Sequence, residues 1–469
     1  MSGRRHVRTV ALGASLLLAA PAAALAQPSG GNLLGPAWGV RPWLNQYGVT
    51  FGLSEISEVF GNTSGGIHQG ATYDGLTELS VGVDLGRAFG IAGGTVNVSA
   101  FQIHGRALSQ DNLSNLNTIS GIGANRAERL WELWYDQQFR DGQIDTKIGL
   151  QSLDQEFITS ASAGLFANTV LGWPALPSYD LYAGGPAYPL SSLGARVRGS
   201  QGPFTLLAGV FDDNPGEQQF NNDPQPKAGA DNLFNLRTGA LFIAELDYAL
   251  NAPSAGQTVI GDGSAPTTSG LPGTYKLGAW FDTAAFPDPE FSTLGQPLIT
   301  RLDPTGADAG AQRMRRHNFS LYGVADQTIW RPDPAGARMV NIFTRLMGAP
   351  GDRNLIDFAS NVGIVLKDPL PGRDADSLGL AGGYTKLGSH AIGYSRDQNQ
   401  FDSDDGYFPV RSGEGFLELT YQYVPTGWLT IAPDAQYIFL PGGGIANPNE
   451  TNRRIANELV LGVRGNINF

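Results

Sequence analysis

The sequence predicts an all-β protein: a transmembrane antiparallel β-barrel of about sixteen strands behind a short N-terminal periplasmic segment. Three observations predict it. The first residues read as an export signal. Apolar and polar residues then alternate with a period of two in segment after segment. No stretch beyond that signal holds enough consecutive apolar residues for a transmembrane helix. A bilayer leaves no water to pair backbone N–H and C=O groups, so a chain that crosses it without such helices must close its strands into a barrel.

The export signal is residues 1–26. Arg4, Arg5 and Arg8 form a positive start, "VALGASLLLAAPAAALA" is the apolar stretch, and Ala24-Leu25-Ala26 is the small-residue cleavage signal. Gln27 is the expected first mature residue. Removing three arginines leaves 28 Lys+Arg against 43 Asp+Glu, a formal charge of −15 (28 minus 43). That balance disfavours nucleic acid as a partner, since no basic stripe meets phosphates. The chain has no cysteine, which suits a closed hydrogen-bond ladder better than an exported soluble domain that could use disulfides. Glycine is abundant at 63 residues; without a three-residue period, and with many Leu, Phe, Trp and Tyr, this means turns rather than collagen or disorder.

Residues 27–48 form the N-terminal segment, in which "NLLGPAWGVRPWLNQYG" spaces its apolar residues for a short periplasmic helix or plug. The barrel is expected over 49–469. "LSVGVDL" sets Leu79, Val81, Val83 and Leu85 against Ser80, Gly82 and Asp84. "RLWELWYDQQF" sets Trp131, Leu133 and Tyr135 against Glu132, Trp134 and Asp136. "DTKIGLQ" sets Thr146, Ile148 and Leu150 against Asp145, Lys147 and Gln151, and "GARVRGS" aligns Arg196 with Arg198, with no acid between them. "IAELDYA" offers Glu245 and Asp247. "YKLGAWFD" sets Lys276, Trp280 and Asp282 against Tyr275, Leu277, Ala279 and Phe281. "MVNIFTRLM" offers Asn341 and Arg345, and "EGFLELTYQY" sets Glu414, Glu418 and Gln422 against Leu417, Leu419, Tyr421 and Tyr423. The terminal "ELVLGVRGNINF" sets Leu459, Leu461, Val463, Ile467 and Phe469 against Glu458 and Arg464. Apolar faces that end in aromatic residues match the girdles of an outer-membrane barrel.

The connections also fit. Short turns ("AGG", "RDGQ", "SQGP", "VPTG") alternate with long polar stretches, among them Asp212–Asp231, Asn251–Gly273 and Pro287–Met314. Short turns on one rim and long loops on the other is the outer-membrane pattern. The 443 residues left after residues 1–26 accommodate sixteen strands and their connections comfortably.

Several long motifs, in order, resemble one family. They are "LWELWYDQQF", "FANTVLGWPALPSYDLYAGGPAYPLSSLGARVRG", "PGDRNLIDF", "PLPGRDADSLGLAGGY" and "APDAQYIFLPGGG", together with the terminal "LVLGVRGNINF". The chain resembles the carbohydrate-selective porins of OprB type over nearly its whole mature length. The resemblance implies a sixteen-stranded outer-membrane barrel of a Gram-negative bacterium that passes glucose and other sugars by diffusion. It also suggests that the arginines and aspartates of "GDRN" (351–354) and "PGRDAD" (371–376) fold toward the constriction, with a solvated surface loop as the competing account. A terminal aromatic, here Phe469, matches the general signature for barrel insertion.

A sugar is neutral, rich in hydroxyls, and flat on its C–H faces. A pore selecting it needs fixed donors, acceptors and an aromatic surface. By strand phase, Arg196, Arg198, Arg345 and Arg464 are the expected donors, and Glu132, Asp136, Glu245 and Glu418 the acceptors. Trp134, flanked in phase by Glu132 and Asp136, is the expected stacking surface. Trp280 also falls in the wet phase, where a bulge or the N-terminal segment is the competing account.

No cofactor and no metal site is expected. The acidic run "DSDDG" (402–406) lacks a spaced calcium-ligand pattern. His68, His104, His317 and His390 form no metal pair, no G-x-S-x-G elbow occurs, and His104 reads as an interfacial polar residue. Monosaccharides or small oligosaccharides, outer-membrane lipids and further copies of the chain are the expected partners. A general or organic-acid porin, an outer-membrane enzyme and a secreted binding protein are the alternatives.

Overall fold

The last strand fixes the frame. In the computed structural model it runs Glu458–Asn468, with Leu461 and Val463 exposed and Glu458, Val460 and Arg464 buried. Leu459, Leu461, Val463, Ile467 and Phe469 therefore point outward, and Arg464 inward, as the alternation predicts. The structure describes residues 31–216, 238–251, 270–302, 310–333, 336–401 and 406–469; the expected signal at 1–26 and residues 402–405 of the acidic run lie outside them.

Eighteen strands are described. They are β1 (Val49–Ser64), β2 (Gly70–Asp84), β3 (Gly94–Gly105), β4 (Ala127–Phe139), β5 (Ile144–Gln151), β6 (Ser192–Gln201), β7 (Phe204–Asp212), β8 (Ala240–Leu250) and β9 (Gly273–Ser292). There follow β10 (Gln312–Trp330), β11 (Met339–Gly348), β12 (Ile356–Lys367), β13 (Ser377–Leu387), β14 (Gly413–Thr426), β15 (Leu429–Phe439), β16 (Ala446–Asn447), β17 (Glu450–Arg454) and β18 (Glu458–Asn468). Strands β16 and β17 make a small separate hairpin; the other sixteen close into one antiparallel barrel in which β18 pairs with both β15 and β1. Closure leaves no strand edge unpaired in hydrocarbon.

Chain direction sorts the connections. Residues 85–93, 140–143, 202–203 and 427–428 turn at the rim where β1 begins and β18 ends, and the opposite rim carries 106–126, 152–191, 388–412 and 440–457. Two expected long loops are corrected. The connection from β8 to β9, within Asn251–Gly273, leaves from the short-turn rim, and β9 continues through Pro287 as far as Ser292. On the short-turn rim, α1 (Val40–Gln46) precedes β1, and α2 (Leu85–Phe89) sits in the β2–β3 turn.

The outer wall is mainly apolar but carries a charged network on β1–β3. Outward-facing Glu55 accepts from Ser57 Oγ (2.9 Å) and Thr77 Oγ1 (2.5 Å), and lies 3.4 Å from His104 Nε2. His104 also meets the Tyr73 hydroxyl at 3.0 Å. Gly75 makes this possible, because a Cβ there would collide with the imidazole. Leu53 and Val59 flank the network on β1 and Ile467 faces Glu55 across the ladder, so His104 belongs to a polar network inside the apolar band, not at its edge.

Candidate functional site

Residues 152–191, between β5 and β6, fold into the barrel. Their sequence explains why. The stretch holds Leu153, Phe157, Ile158, Leu165, Phe166, Leu171, Trp173, Leu176 and Leu181 but no period of two, and four prolines (Pro174, Pro177, Pro186, Pro189) bar a strand. Such a segment must bury apolar surface as a loop. It forms two short helices, α3 (Thr169–Gly172) and α4 (Ala175–Asp180), the first capped by Asn168, whose side chain accepts from Val170 N at 3.2 Å.

The inner wall meets it with apolar residues of its own. Leu153, Phe157, Ile158, Trp173, Leu176 and Leu181 share one core with Leu207, Phe211, Leu241, Ile243, Val324 and Met347 of the strands. Trp280 belongs to this core and is 2% exposed. Its wet-phase position thus reflects packing under the loop; neither a bulge nor the N-terminal segment is involved. Trp131 is the bulged residue. The β3–β4 register slips between Ser99 and Ala100, opposite Glu132 and Leu130. Trp131 is thereby buried against Phe101 at a ring distance of 4.3 Å, a correction to its expected outward face.

Wall charges grip the loop's backbone. Arg345 donates to the carbonyls of Ile158 (2.9 Å), Gly172 (2.8 Å), Val170 (2.6 Å) and Leu171 (2.9 Å). Glu418 accepts from Ala167 N (2.6 Å) and Asn168 N (3.1 Å), and Glu245 from Ile158 N (2.8 Å). Arg464 pairs with Glu58 and reaches the carbonyls of Phe166 (3.4 Å) and Ala167 (3.3 Å). Glu414 holds the neighbouring 106–126 loop through Leu116 N (2.8 Å) and Asn117 N (2.6 Å). All five side chains are essentially buried. Charges chosen by strand phase as pore-lining are here anchors. The sequence signal for their task was the apolar, proline-rich loop itself.

A second group reaches solvent only at its edge, through Arg198 and in part Glu156, while Arg196 and Asp145 are buried. Arg196 pairs with Asp145 and donates to Glu156 (2.9 Å), and its guanidinium stands 3.7 Å from Asp136. Asp145 also accepts from Arg198 Nε at 2.6 Å. The two arginines therefore do have an acid between them, supplied by the neighbouring strand rather than their own. Lys147 pairs with Glu156 of the loop and stands 4.5 Å over the Trp134 ring. The Trp134 indole N–H donates to Glu132 (3.1 Å), whose other oxygen accepts from Ser152 N (3.1 Å). Lys147, Arg196 and Arg198 thus face Asp136, Asp145 and Glu156, three charges against three. On the far side of the loop tip, Lys276 bridges Glu245 (3.2 Å) and Thr159 (2.8 Å).

The two other motif arginines sit on opposite rims. Arg353 donates to the carbonyls of Arg316 (3.0 Å) and His317 (2.8 Å), closing the strand ends beside the loop, while Asn354 pairs with Asn318 (2.9 Å). Arg373 binds Asp376 (2.6 Å) and lies over Tyr423, a staple of the short-turn rim far from the loop's anchors. Among the described residues, no three His, Cys, Asp or Glu side chains converge as a metal site.

Two loop carboxyls are held out of water. Asp154 accepts from Ser152 Oγ (2.5 Å) and Tyr188 N (3.0 Å), and Asp180 from Ile356 N (3.1 Å). Burial pushes Asp154 above the ordinary carboxylate range and Asp180 well above it, outweighing the hydrogen bonds that favour the charged forms.

The chain has relatives among known proteins. It is 26% identical to Porin B of Pseudomonas aeruginosa over 94% of each chain. Its fold is similar to a high-pH structure of Pseudomonas putida OprB, with a TM-score of 0.77 at 24% identity over 93% of this chain and 97% of that one. A low-pH structure of the same protein matches with a TM-score of 0.54 at 18% identity, over 93% and 98%. The family model described as "Carbohydrate-selective porin, OprB family" matches residues 68–469. A closed sixteen-strand barrel, a loop folded into its lumen and this match over most of the length agree: the chain belongs to the OprB family of carbohydrate-selective porins, outer-membrane channels.

Proposed function

We propose that small neutral sugars, monosaccharides or small oligosaccharides, diffuse into the periplasm past the cluster of Asp136, Asp145, Lys147, Glu156, Arg196 and Arg198, with Trp134 as the apolar surface beside it. The carrying observation is the charge balance. Three cations against Asp136, Asp145 and Glu156, with the Glu132 carboxyl beside them on Trp134, give a dense and nearly balanced set of donors and acceptors, which suits a neutral polyhydroxy solute. Glu132, Glu245, Arg345, Glu418 and Arg464 act as positioning residues that hold the loop so that this cluster borders the passage.

Residues 1–26 serve as the export signal in this reading, 27–48 as a periplasmic segment and 49–469 as the barrel. No enzymatic step, cofactor, metal or nucleic acid enters it. Association into homo-oligomers is supported by the Glu55–His104 network, since charged residues facing lipid are costly and a second wall would shelter them. Cross-linking through Ser57→Cys tests that point.

A channel for organic anions is the second reading, favoured by Arg198, whose side chain is 43% exposed, against 2% for Asp145. Liposome swelling separates the two. Rates for glucose well above those for size-matched succinate support the sugar reading; the reverse order supports the anion reading.

A further inference from the structure

Below the barrel, one apolar surface faces away from every strand. Helix α1 places Val40, Trp43, Leu44 and Tyr47 at the i, i+3, i+4, i+7 spacing of a single face. Trp43 and Tyr47 stack edge to face at 5.6 Å. Trp38 is 89% exposed, Trp43 57% and Tyr47 55%, and the adjoining β2–β3 turn adds Phe89 at 74%. Isolated exposed apolar residues need no account, but a contiguous aromatic patch does.

The segment is fixed in place. Leu33 N donates to Asn468 O (2.8 Å), and Arg41 donates to Phe51 O (2.8 Å) and to the Phe469 backbone, with its guanidinium 5.4 Å over the Phe51 ring. Asn45 accepts from Arg87 at 3.0 Å, tying the helix to α2. Phe51 and Phe469 both belong to the outward face of the seam between β1 and β18. The helix therefore sits on the lipid side of the barrel's foot. Ala37 and Trp38 hold positive φ angles of 47° and 55°, a conformation unfavourable for residues with a Cβ, and Trp38 is nonetheless 89% exposed.

We propose that residues 33–47, with Phe89 and Ile91, form a membrane anchor lying in the headgroup–acyl boundary of the periplasmic phospholipid leaflet. The patch continues the lipid-facing surface of β1 and β18 past its lower edge. Tryptophan and tyrosine are suited to that boundary, being apolar in the ring and able to donate at the rim. On the other face Arg41 is taken up by the barrel and Asn45 binds Arg87 of α2, so the polar side of the helix has protein partners and the apolar side is left for lipid.

The native chain has no cysteine, so single nitroxide labels can be placed cleanly. Trp38→Cys, Trp43→Cys and Asn45→Cys would be labelled, checked for heat-modifiable migration, and reconstituted in phosphatidylethanolamine–phosphatidylglycerol vesicles. At 38 and 43, the ratio of oxygen to nickel-chelate collisions should be several-fold above that at 45. Nickel dominance at 38 and 43 would put the rings in water, and exclusion of both reagents with spin–spin broadening would put a second copy on them; either overturns the anchor. As a second measurement, the unlabelled wild-type chain and a Trp38→Phe/Trp43→Phe variant are compared for tryptophan quenching by shallow brominated phospholipids. The variant should lose part of the quenching; equal fractional quenching also overturns it.

Discussion

Trp134 shows how one residue can serve two tasks. Its N–H is bound to Glu132 and its ring lies beneath Lys147, so the indole is held in a fixed pose beside the charge-balanced cluster. Aromatic contacts are worth about 0.5–1.5 kcal/mol, so Trp134→Ala should raise glucose half-saturation by roughly two- to tenfold while ion conductance rises. Unchanged conductance and unchanged glucose block, with a lower melting temperature, would reduce the ring to a packing residue. Arg198 is the open member of the cluster. Arg198→Ala leaves Asp145 with Arg196 as its remaining partner, so reversal-potential measurements should show selectivity moving toward cations. Arg196, held by three carboxylates, should cost more in stability when removed than Arg198.

At the scale of elements, the loop and the wall need each other. The loop's apolar residues require shelter, and the wall's buried charges require backbone partners. Arg345→Ala leaves the carbonyls of Ile158, Val170, Leu171 and Gly172 without that donor, on the order of 1–3 kcal/mol for each buried acceptor left unpaired. The closed sheet should still assemble, as heat-modifiable migration would show, but single-channel records should become larger and noisier. Asp154 and Asp180 add a pH dependence. Burial raises both above 3.8, so the folded-in loop holds these protons more tightly than an extended chain does. Their contribution favours the packed loop at acid pH and is lost as pH climbs through the raised values. Channel noise should therefore increase as pH rises above the ordinary carboxylate range, and Asp180→Asn should flatten that trend. The loop is also where the sequence was hardest to read. Period two gave the faces of Leu461 and Arg464 correctly, because alternation is a local property of a strand. It could not tell that Trp280 and Val324 face protein instead of water, since that depends on a segment distant in the chain, residues 152–191. Nor could it register the slipped pairing that turns Trp131 inward. Arg345 and Glu418 read as lumen charges, which they are by phase; what they bind there is set by the loop.

Across the whole molecule, a closed sixteen-strand wall supplies rigidity, a loop of opposite character narrows it, and buried charges join the two. In the proposed reading, the passage beside that loop is bordered by Arg198, Glu156 and their buried partners, next to the Trp134 indole. From this follows a channel with weak ion preference that binds neutral sugars in passing. Single-channel current through the wild-type protein in a planar bilayer, recorded while glucose and then succinate are titrated, tests that claim most directly. Glucose should reduce the current along a saturable curve, and succinate at matched concentration should reduce it far less. A current indifferent to glucose, or blocked more strongly by succinate, would contradict the account.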